Sequence, residues 1–368
     1  MKKLALLLGS LLVVGATAHA KEVVAAPVEV SKEVVVVAEP VVEVIVVEEA
    51  FRPTGYIGVE YRAYGETEGH GDKFRGNTGT VNAPADNQDT WNRGANNRAR
   101  LQTTFGIQMT ENAKLEGRIR DYSNLETGSV RKLGKTTGTE TRLRYYYKHT
   151  DTLTSRLQYR DEENDSQNFE YMLRINTYKN KGGLLESLVF APKLYHSMAA
   201  NNGGNYTNTL GMNIEYAGNL PLGFTWDGAV YLNQYFYNQD ITTGVNETKD
   251  KEFQAEVELY LYRTVGLYAT EKYNLDFNFE GGYDPYVFRQ YDRYAKDAEK
   301  GTWSQTQEKN TYSLYTAMDV SLKYQMTPAV SVKGGVGAEY RNWDNEAQSS
   351  ANDWRWQPFA FVSMNAKF

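Results

Sequence analysis

From Thr54 to Phe368, apolar and polar residues alternate with a period of two, in runs that return roughly every 20 to 30 residues. Ala99, Leu101, Thr103, Phe105, Ile107 and Met109 interleave with Arg98, Arg100, Gln102, Thr104, Gly106 and Gln108. Residues two apart share a face of a strand, so such a run has one lipid-compatible face and one strongly polar face. A soluble sandwich would bury the apolar face in a core, and no segment here reads as a helix that could cover it. The expectation is an all-β transmembrane antiparallel barrel, apolar residues toward lipid and polar residues toward a water-filled lumen, closed so that no backbone group lacks a partner.

Fourteen segments fit this pattern: Gly55 to Tyr64, Arg98 to Gln108, Ala113 to Asp121, Thr139 to Lys148, Thr152 to Arg160, Asn168 to Asn176, Leu188 to His196, Asn208 to Tyr216, Leu222 to Asn233, Glu252 to Tyr262, Tyr273 to Tyr283, Tyr312 to Tyr324, Val330 to Arg341 and Trp354 to Phe368. Tight connections (Thr110 to Asn112, His149 to Asp151, Ala217 to Pro221, Gln325 to Pro328) alternate with long polar ones (Glu66 to Asn97, Tyr122 to Gly138, Gln234 to Lys251, Asp284 to Thr311). Short periplasmic turns and long outer loops are the habit of outer-membrane barrels, and an even strand count leaves both termini periplasmic. Sixteen strands is the competing count, with two short ones between Asn176 and Leu188.

The chain opens with Lys2 and Lys3, an apolar stretch from Leu4 to Val14 and Ala18-His19-Ala20, the pattern of a cleaved secretory signal over residues 1–20. Residues 21–53 form a separate periplasmic extension. Residues 21–50 hold 13 valines and seven glutamates with no glycine or aromatic, and Glu39, Pro40 and Glu43 break the apolar runs, so this stretch does not cross a membrane as a helix. Residues 54–368 are the barrel.

Composition removes other classes. The chain has 368 residues with 13% aromatics, too many for a disordered protein of its polarity, and no cysteine, which rules out thiolate zinc sites, disulfide scaffolds and cysteine nucleophiles. A net charge of -6 gives no support to a nucleic-acid partner. No cofactor or metal is expected, because His70, His149 and His196 are scattered and make no ligand set. No catalysis is expected either: the adjacent His196 and Ser197 point to opposite faces of a strand, and His70 with Asp72 is a spacing any polar loop shows.

The inward positions carry the chemistry of interest. Segments two to six place Arg98, Arg100, Arg118, Arg120, Arg142, Arg144, Arg156 and Arg174 on the lumenal face, while segments eight to thirteen place Asp227, Glu252, Glu256, Glu258, Asp276 and Glu280 there. In a ring of fourteen, the fourth strand faces the eleventh, so a basic arc confronts an acidic arc across the channel. The opposite possibility is that each arginine pairs with a carboxylate on the next strand, as Arg118 can with Glu140, and props the wall. Tyr145, Tyr147, Tyr159, Tyr171, Tyr216, Phe224, Trp226, Tyr312, Tyr324 and Tyr340 fall on the lipid face, mostly near strand ends, as interfacial rings do. Tyr231, Tyr260 and Tyr262 share the inward face of Asp227 and Glu258, which leaves a sugar path as a minor alternative.

The opening MKKLALLLGSLLVVG, the valine and glutamate stretch ending in Phe51-Arg52-Pro53, the run from Glu140 to Tyr147, Glu280-Gly281-Gly282-Tyr283-Asp284 and Trp354-Arg355-Trp356-Gln357-Pro358 are those of a known group. The chain resembles the fusobacterial major outer-membrane porins. The resemblance implies a homotrimeric general diffusion porin of the cell outer membrane, passing small hydrophilic solutes and ions, with a surface-adhesin role for its loops as the alternative function. The partners expected are outer-membrane lipid, the barrel assembly machinery and host or bacterial surfaces. The alternating close from Phe359 to Phe368 ends in the aromatic residue that such machinery reads. Deleting Phe368 is therefore expected to lower the outer-membrane yield severalfold while the channels that do insert keep their conductance; quantitative blotting of membrane fractions checks this, and an undiminished yield contradicts it.

Overall fold

A computed structural model describes residues 51–65, 68, 98–125, 138–162, 166–199, 204–296, 301–342 and 354–368. The stretch read as a signal, the stretch read as an extension up to residue 50 and nearly all of the expected first long loop lie outside the described residues. The strands are β1 (Thr54–Tyr64), β2 (Arg98–Gln108), β3 (Ala113–Asn124), β4 (Gly138–Lys148), β5 (Leu153–Glu162), β6 (Ser166–Lys179), β7 (Ser187–Ala199) and β8 (Tyr206–Leu220). They continue as β9 (Phe224–Gly244), β10 (Glu247–Ala269), β11 (Tyr273–Arg289), β12 (Arg293–Lys296), β13 (Trp303–Gln307), β14 (Asn310–Gln325), β15 (Val330–Asn342) and β16 (Trp354–Lys367).

Fourteen of these strands close into one antiparallel barrel, and β12 and β13 form a separate two-stranded sheet. Closure is made by β1, which pairs with β2 from Thr54↔Gln108 to Tyr64↔Arg98 and with β16 from Tyr56↔Lys367 to Tyr64↔Phe359. Each β1 residue between Tyr56 and Tyr64 thus has a neighbour on both sides. The count of fourteen holds and the count of sixteen does not: between Asn180 and Glu186 the chain turns and leads directly from β6 into β7. The two further strands lie instead in the connection from β11 to β14.

The expected long loop from Gln234 to Lys251 is mostly strand. β9 and β10 run on as a ladder to a two-residue turn at Val245 and Asn246, where Asn246 takes the left-handed conformation with φ 59°. The consecutive aromatics Tyr235, Phe236 and Tyr237 stand inside this ladder, and pairing continues beyond a span of about 9 to 11 residues, the length needed to cross a bilayer as a tilted strand.

Four of the tight turns share one device. Thr110, Thr150, Thr270 and Thr327 each accept, on Oγ1, the backbone N–H three residues later, from Ala113, Leu153, Tyr273 and Val330, at 2.9 to 3.0 Å. Gln108 and Gln325, the last residues of β2 and β14, add a side-chain N–H to the carbonyls of Thr110 and Thr327, both at 2.7 Å. A threonine at the first turn position offers the backbone a local acceptor that no strand can supply there. Gly282 serves a different need: at φ 154° it lies against β10, and a Cβ there would fall 1.8 Å from the Leu259 carbonyl oxygen, so the Glu280-Gly281-Gly282-Tyr283 run is bound to glycine at that position.

The two faces of the wall separate as the alternation requires. Leu143, Leu157, Leu194, Leu210, Val320, Val336 and Val362 are exposed on the outer surface, whereas Met172, Ala191, Glu252, Ser321 and Gln357 are buried on the inner one. The inner face near Met172, Val189 and Ala191 is apolar, a small cluster under β6 and β7. Val336 and Leu157 are 64% and 53% exposed and sit mid-strand. Replacing either by Arg is expected to destabilise the barrel by about 2 to 4 kcal/mol in lipid vesicles, as a cation at the bilayer midplane does. Reversible urea unfolding measures it; if the variants match the wild type while replacing buried Gln357 by Leu stabilises the barrel, the faces are inverted.

Candidate functional site, a charged lumen

In a closed barrel the position of every inward side chain follows from parity and register. Arg118 on β3, Arg142 on β4 and Arg160 on β5 are Cα partners in one continuous row. Like charges directly opposite on neighbouring strands repel, and one row nearer the strands' loop ends the structure answers with Glu140. Its carboxylate takes Arg118, with Arg160 at 3.4 Å and Arg120 at 3.7 Å. Arg120 Nε also donates to Gln102 Oε1 at 2.6 Å, Arg144 Nε donates to Gln158 Oε1 at 2.5 Å, and Arg160 meets Glu162. Arg142 is different. Among the described residues it makes no ion pair or hydrogen bond through its side chain, although arginines flank it on both sides.

The remaining basic positions are more fully compensated. Arg100 donates to Glu60 at 2.7 Å, Arg156 pairs with Glu170 at 2.5 Å in a buried contact, and Arg174 reaches past β7 to Glu215 on β8. Arg174 crosses β7 diagonally, since the β7 residue opposite Glu215 is Val189, and the next inward residue, Ala191, is small and wholly covered. Arg98 occupies an inward position opposite Tyr64, and its side chain lies outside the described residues. The expected wall-propping pairs and an unpaired cation therefore coexist: Arg118 and Arg156 brace neighbouring strands, Arg174 ties β6 to β8, and Arg142 has no partner among the described residues.

The acidic positions also divide. Asp227 accepts from the Tyr262 hydroxyl at 3.3 Å, Glu258 from the Tyr231 hydroxyl at 2.8 Å, and Glu280 from the Tyr315 hydroxyl. Phenols satisfy a carboxylate without cancelling its charge, so these groups remain sources of negative potential. Asp276 lies on the same inward face near the short-turn end of β11. Glu256 accepts from Gln254. Glu252 is not an open lumenal acid: it is completely buried beneath Arg293, at 2.5 Å, and the Tyr237 hydroxyl, at 3.0 Å. Arg293 belongs to β12, so the small hairpin of the β11–β14 connection is pinned by this pair to the inward face of β9 and β10. A sequence reading could not foresee it, because nothing local to Glu252 announces a cation 41 residues away.

Other lumenal groups escaped the sequence reading. Phe359 and Phe361 face inward, out of phase with Phe368, and Arg62 stacks on both rings at 4.9 and 5.1 Å. The odd parity of these two phenylalanines was the available signal. Lys193 lies over Tyr231 at 5.3 Å and Arg341 over Tyr315 at 4.5 Å, so the acidic arc carries some buried cations of its own. At the short-turn end, the Lys148 ammonium, hydrogen-bonded at 2.5 Å, holds the exposed Asp151 carboxyl below its usual range. His196 faces outward and bonds Asn208 at 2.7 Å, while Ser197 has the inward parity of its neighbour Tyr195.

A closed barrel with an apolar exterior and a wall of arginines and carboxylates inside fits only one setting. The chain is an outer-membrane β-barrel. No family model and no curated protein matches it. Among solved structures it is similar to a bacterial polysaccharide outer membrane secretin, with TM-score 0.41 and 10% identity over 85% of this chain and 98% of that one. OmpT of Vibrio cholerae, an outer membrane protein, gives 0.34 and 9% over 86% and 97%, and OccD3 (OpdP) of Pseudomonas aeruginosa gives 0.32 and 13% over 73% and 69%.

The arginine row yields a stability prediction. Glu140→Gln leaves Arg118, Arg120 and Arg160 without their shared carboxylate and is expected to cost about 1 to 3 kcal/mol, below the figure for a dry ion pair because the lumen is wet. Adding Arg142→Gln to that variant removes one of the repelling charges and is expected to recover part of the loss. A double-mutant cycle in urea checks both; additive losses would show that Glu140 does not offset the row.

Proposed function

We propose that this barrel is a general diffusion porin, a water-filled channel for small hydrophilic solutes and ions. The observation that carries the reading is Arg142: a guanidinium with arginines on both flanks and no partner among the described residues is tolerable only where water reaches it. Selectivity then comes from pore width and wall charge. The excess positive charge on β3 to β5 and the phenol-bound carboxylates on β9 to β11 set up a field across the lumen, since β4 and β11 stand seven places apart in the ring of fourteen. Such a field orients permeating dipoles and disfavours apolar solutes, which cannot replace the ordered water between the walls. The resemblance to fusobacterial porins supports the same reading and adds a homotrimer and an adhesive role for the outer loops.

Purified protein in a planar bilayer is expected to give large, steady, roughly ohmic steps. Their absence from folded protein overturns the porin reading and leaves the barrel as a platform for its loops. Arg142→Gln breaks no ion pair, and R100Q/R118Q/R142Q removes more of the lumenal positive charge. Both are expected to move the reversal potential in a salt gradient toward cation preference. The shift should fade as salt rises, because wall charges are screened over about 8 Å at physiological ionic strength. An unchanged reversal potential in both variants defeats the transverse field.

A further inference from the structure

At the short-turn end of the lumen the wall of β6 to β10 is hollowed. The hollow has a volume of about 310 Å³, near the lower end for small-molecule sites. It exists because Ser187, Ala217 and Ala229 occupy inward positions on β7, β8 and β9 while larger side chains stand around them. Three carboxylates line it, Glu215, Asp227 and Glu258, against one guanidinium, Arg174, which is engaged with Glu215. Two phenol rings complete it: Tyr231 beside Glu258, and Tyr260, stacked on Tyr262 at 6.3 Å with 29° between the planes. At its margin Asn213, 4% exposed, lies opposite Tyr231 and one inward position from Glu215, and its Oδ1 has no partner among the described residues. That orphan carbonyl dipole adds to the negative potential.

We propose that this hollow is a binding subsite for short organic diammonium ions, a substrate class that rests on the porin reading and sharpens it. Net negative charge selects a cation over a neutral sugar. The aromatic face selects an alkylammonium over a hard divalent ion, which needs several oxygens converging on one point; no such group of acids and histidines occurs among the described residues. Asp227 pairs in register with Tyr260, and Ala229 with Glu258, so the two carboxylates are diagonal neighbours on adjacent strands. Diagonal positions have backbones roughly 7 to 8 Å apart, a spacing that suits two separate ammonium groups. A four-carbon diamine sets one ammonium at each and lays its chain along the Tyr260 ring. The guanidinium of Arg174 closes the far side and, being repulsive, fixes how far a cation advances.

The test uses the full-length protein in a planar bilayer, with potassium chloride conductance recorded first and 1,4-diaminobutane then added to the short-turn side. Concentration-dependent interruptions of the current are expected, with glucose and succinate producing none. D227N/E258Q is expected to raise the half-blocking diamine concentration about tenfold, the sum of two modest solvent-exposed charge contacts. Should the double variant fail to fold, Asp227→Asn alone, which keeps an acceptor for Tyr262, is expected to give about threefold. Titration calorimetry of 1,4-diaminobutane into detergent-folded protein reads the same site without current, so absent potassium steps with normal binding heat would refute the porin and keep the subsite. Equal blocking of wild type and variants, no blocking at all, or stronger blocking by glucose overturns the diammonium site.

Discussion

In hydrocarbon an unpaired backbone amide has no water to turn to, and the whole molecule is arranged around that fact. The contact that meets it is the seam between β1 and β16, where Tyr56 to Tyr64 pair with Lys367 to Phe359. Without the seam, thirteen other strand contacts would still leave two raw edges in the bilayer. With it, the wall has an inside and an outside everywhere, and a residue's face is set by whether its number is odd or even along its strand. The threonine-capped turns maintain that parity from one hairpin to the next, since a turn of different length would throw the following strand out of phase.

Closure also creates an electrostatic problem. Charges excluded from the lipid face all arrive in one lumen, and the strand pairing brings Arg118, Arg142 and Arg160 into line. The solution is unequal sharing: Glu140 serves three arginines, Gln102 accepts from one of these, Arg120, Gln158 accepts from Arg144, and Arg142 is left to water. On the acidic side phenols take the place of cations, with Tyr231, Tyr262 and Tyr315 donating to Glu258, Asp227 and Glu280. A phenol holds a carboxylate in position yet leaves its charge in the field. The two walls are thus braced by different chemistry, and the residual potential of each is a by-product of how its braces are built.

Much of this was legible before any coordinates. The barrel, its fourteen strands and the inward parity of Arg100, Arg118, Arg142, Asp227 and Glu258 all follow from alternation, because facing is decided between a residue and its immediate neighbours. The bounds of β2 were readable to the residue, since the tight turn from Thr110 to Asn112 follows directly on the alternating run. The β9–β10 extension was misread as a loop because polarity rises there, although strand pairing outside the membrane needs no apolar face.

What the sequence determined by itself was therefore the class of structure and the face of each side chain. What only the tertiary structure decided was which charges meet. Arg174 finds Glu215 two strands away, diagonally across β7, Glu252 is sealed by Arg293 from a distant hairpin, and a hollow opens where three small residues on different strands fall together. Each depends on register and on contacts between strands remote in sequence. Period-two alternation is a local signal and is silent on both.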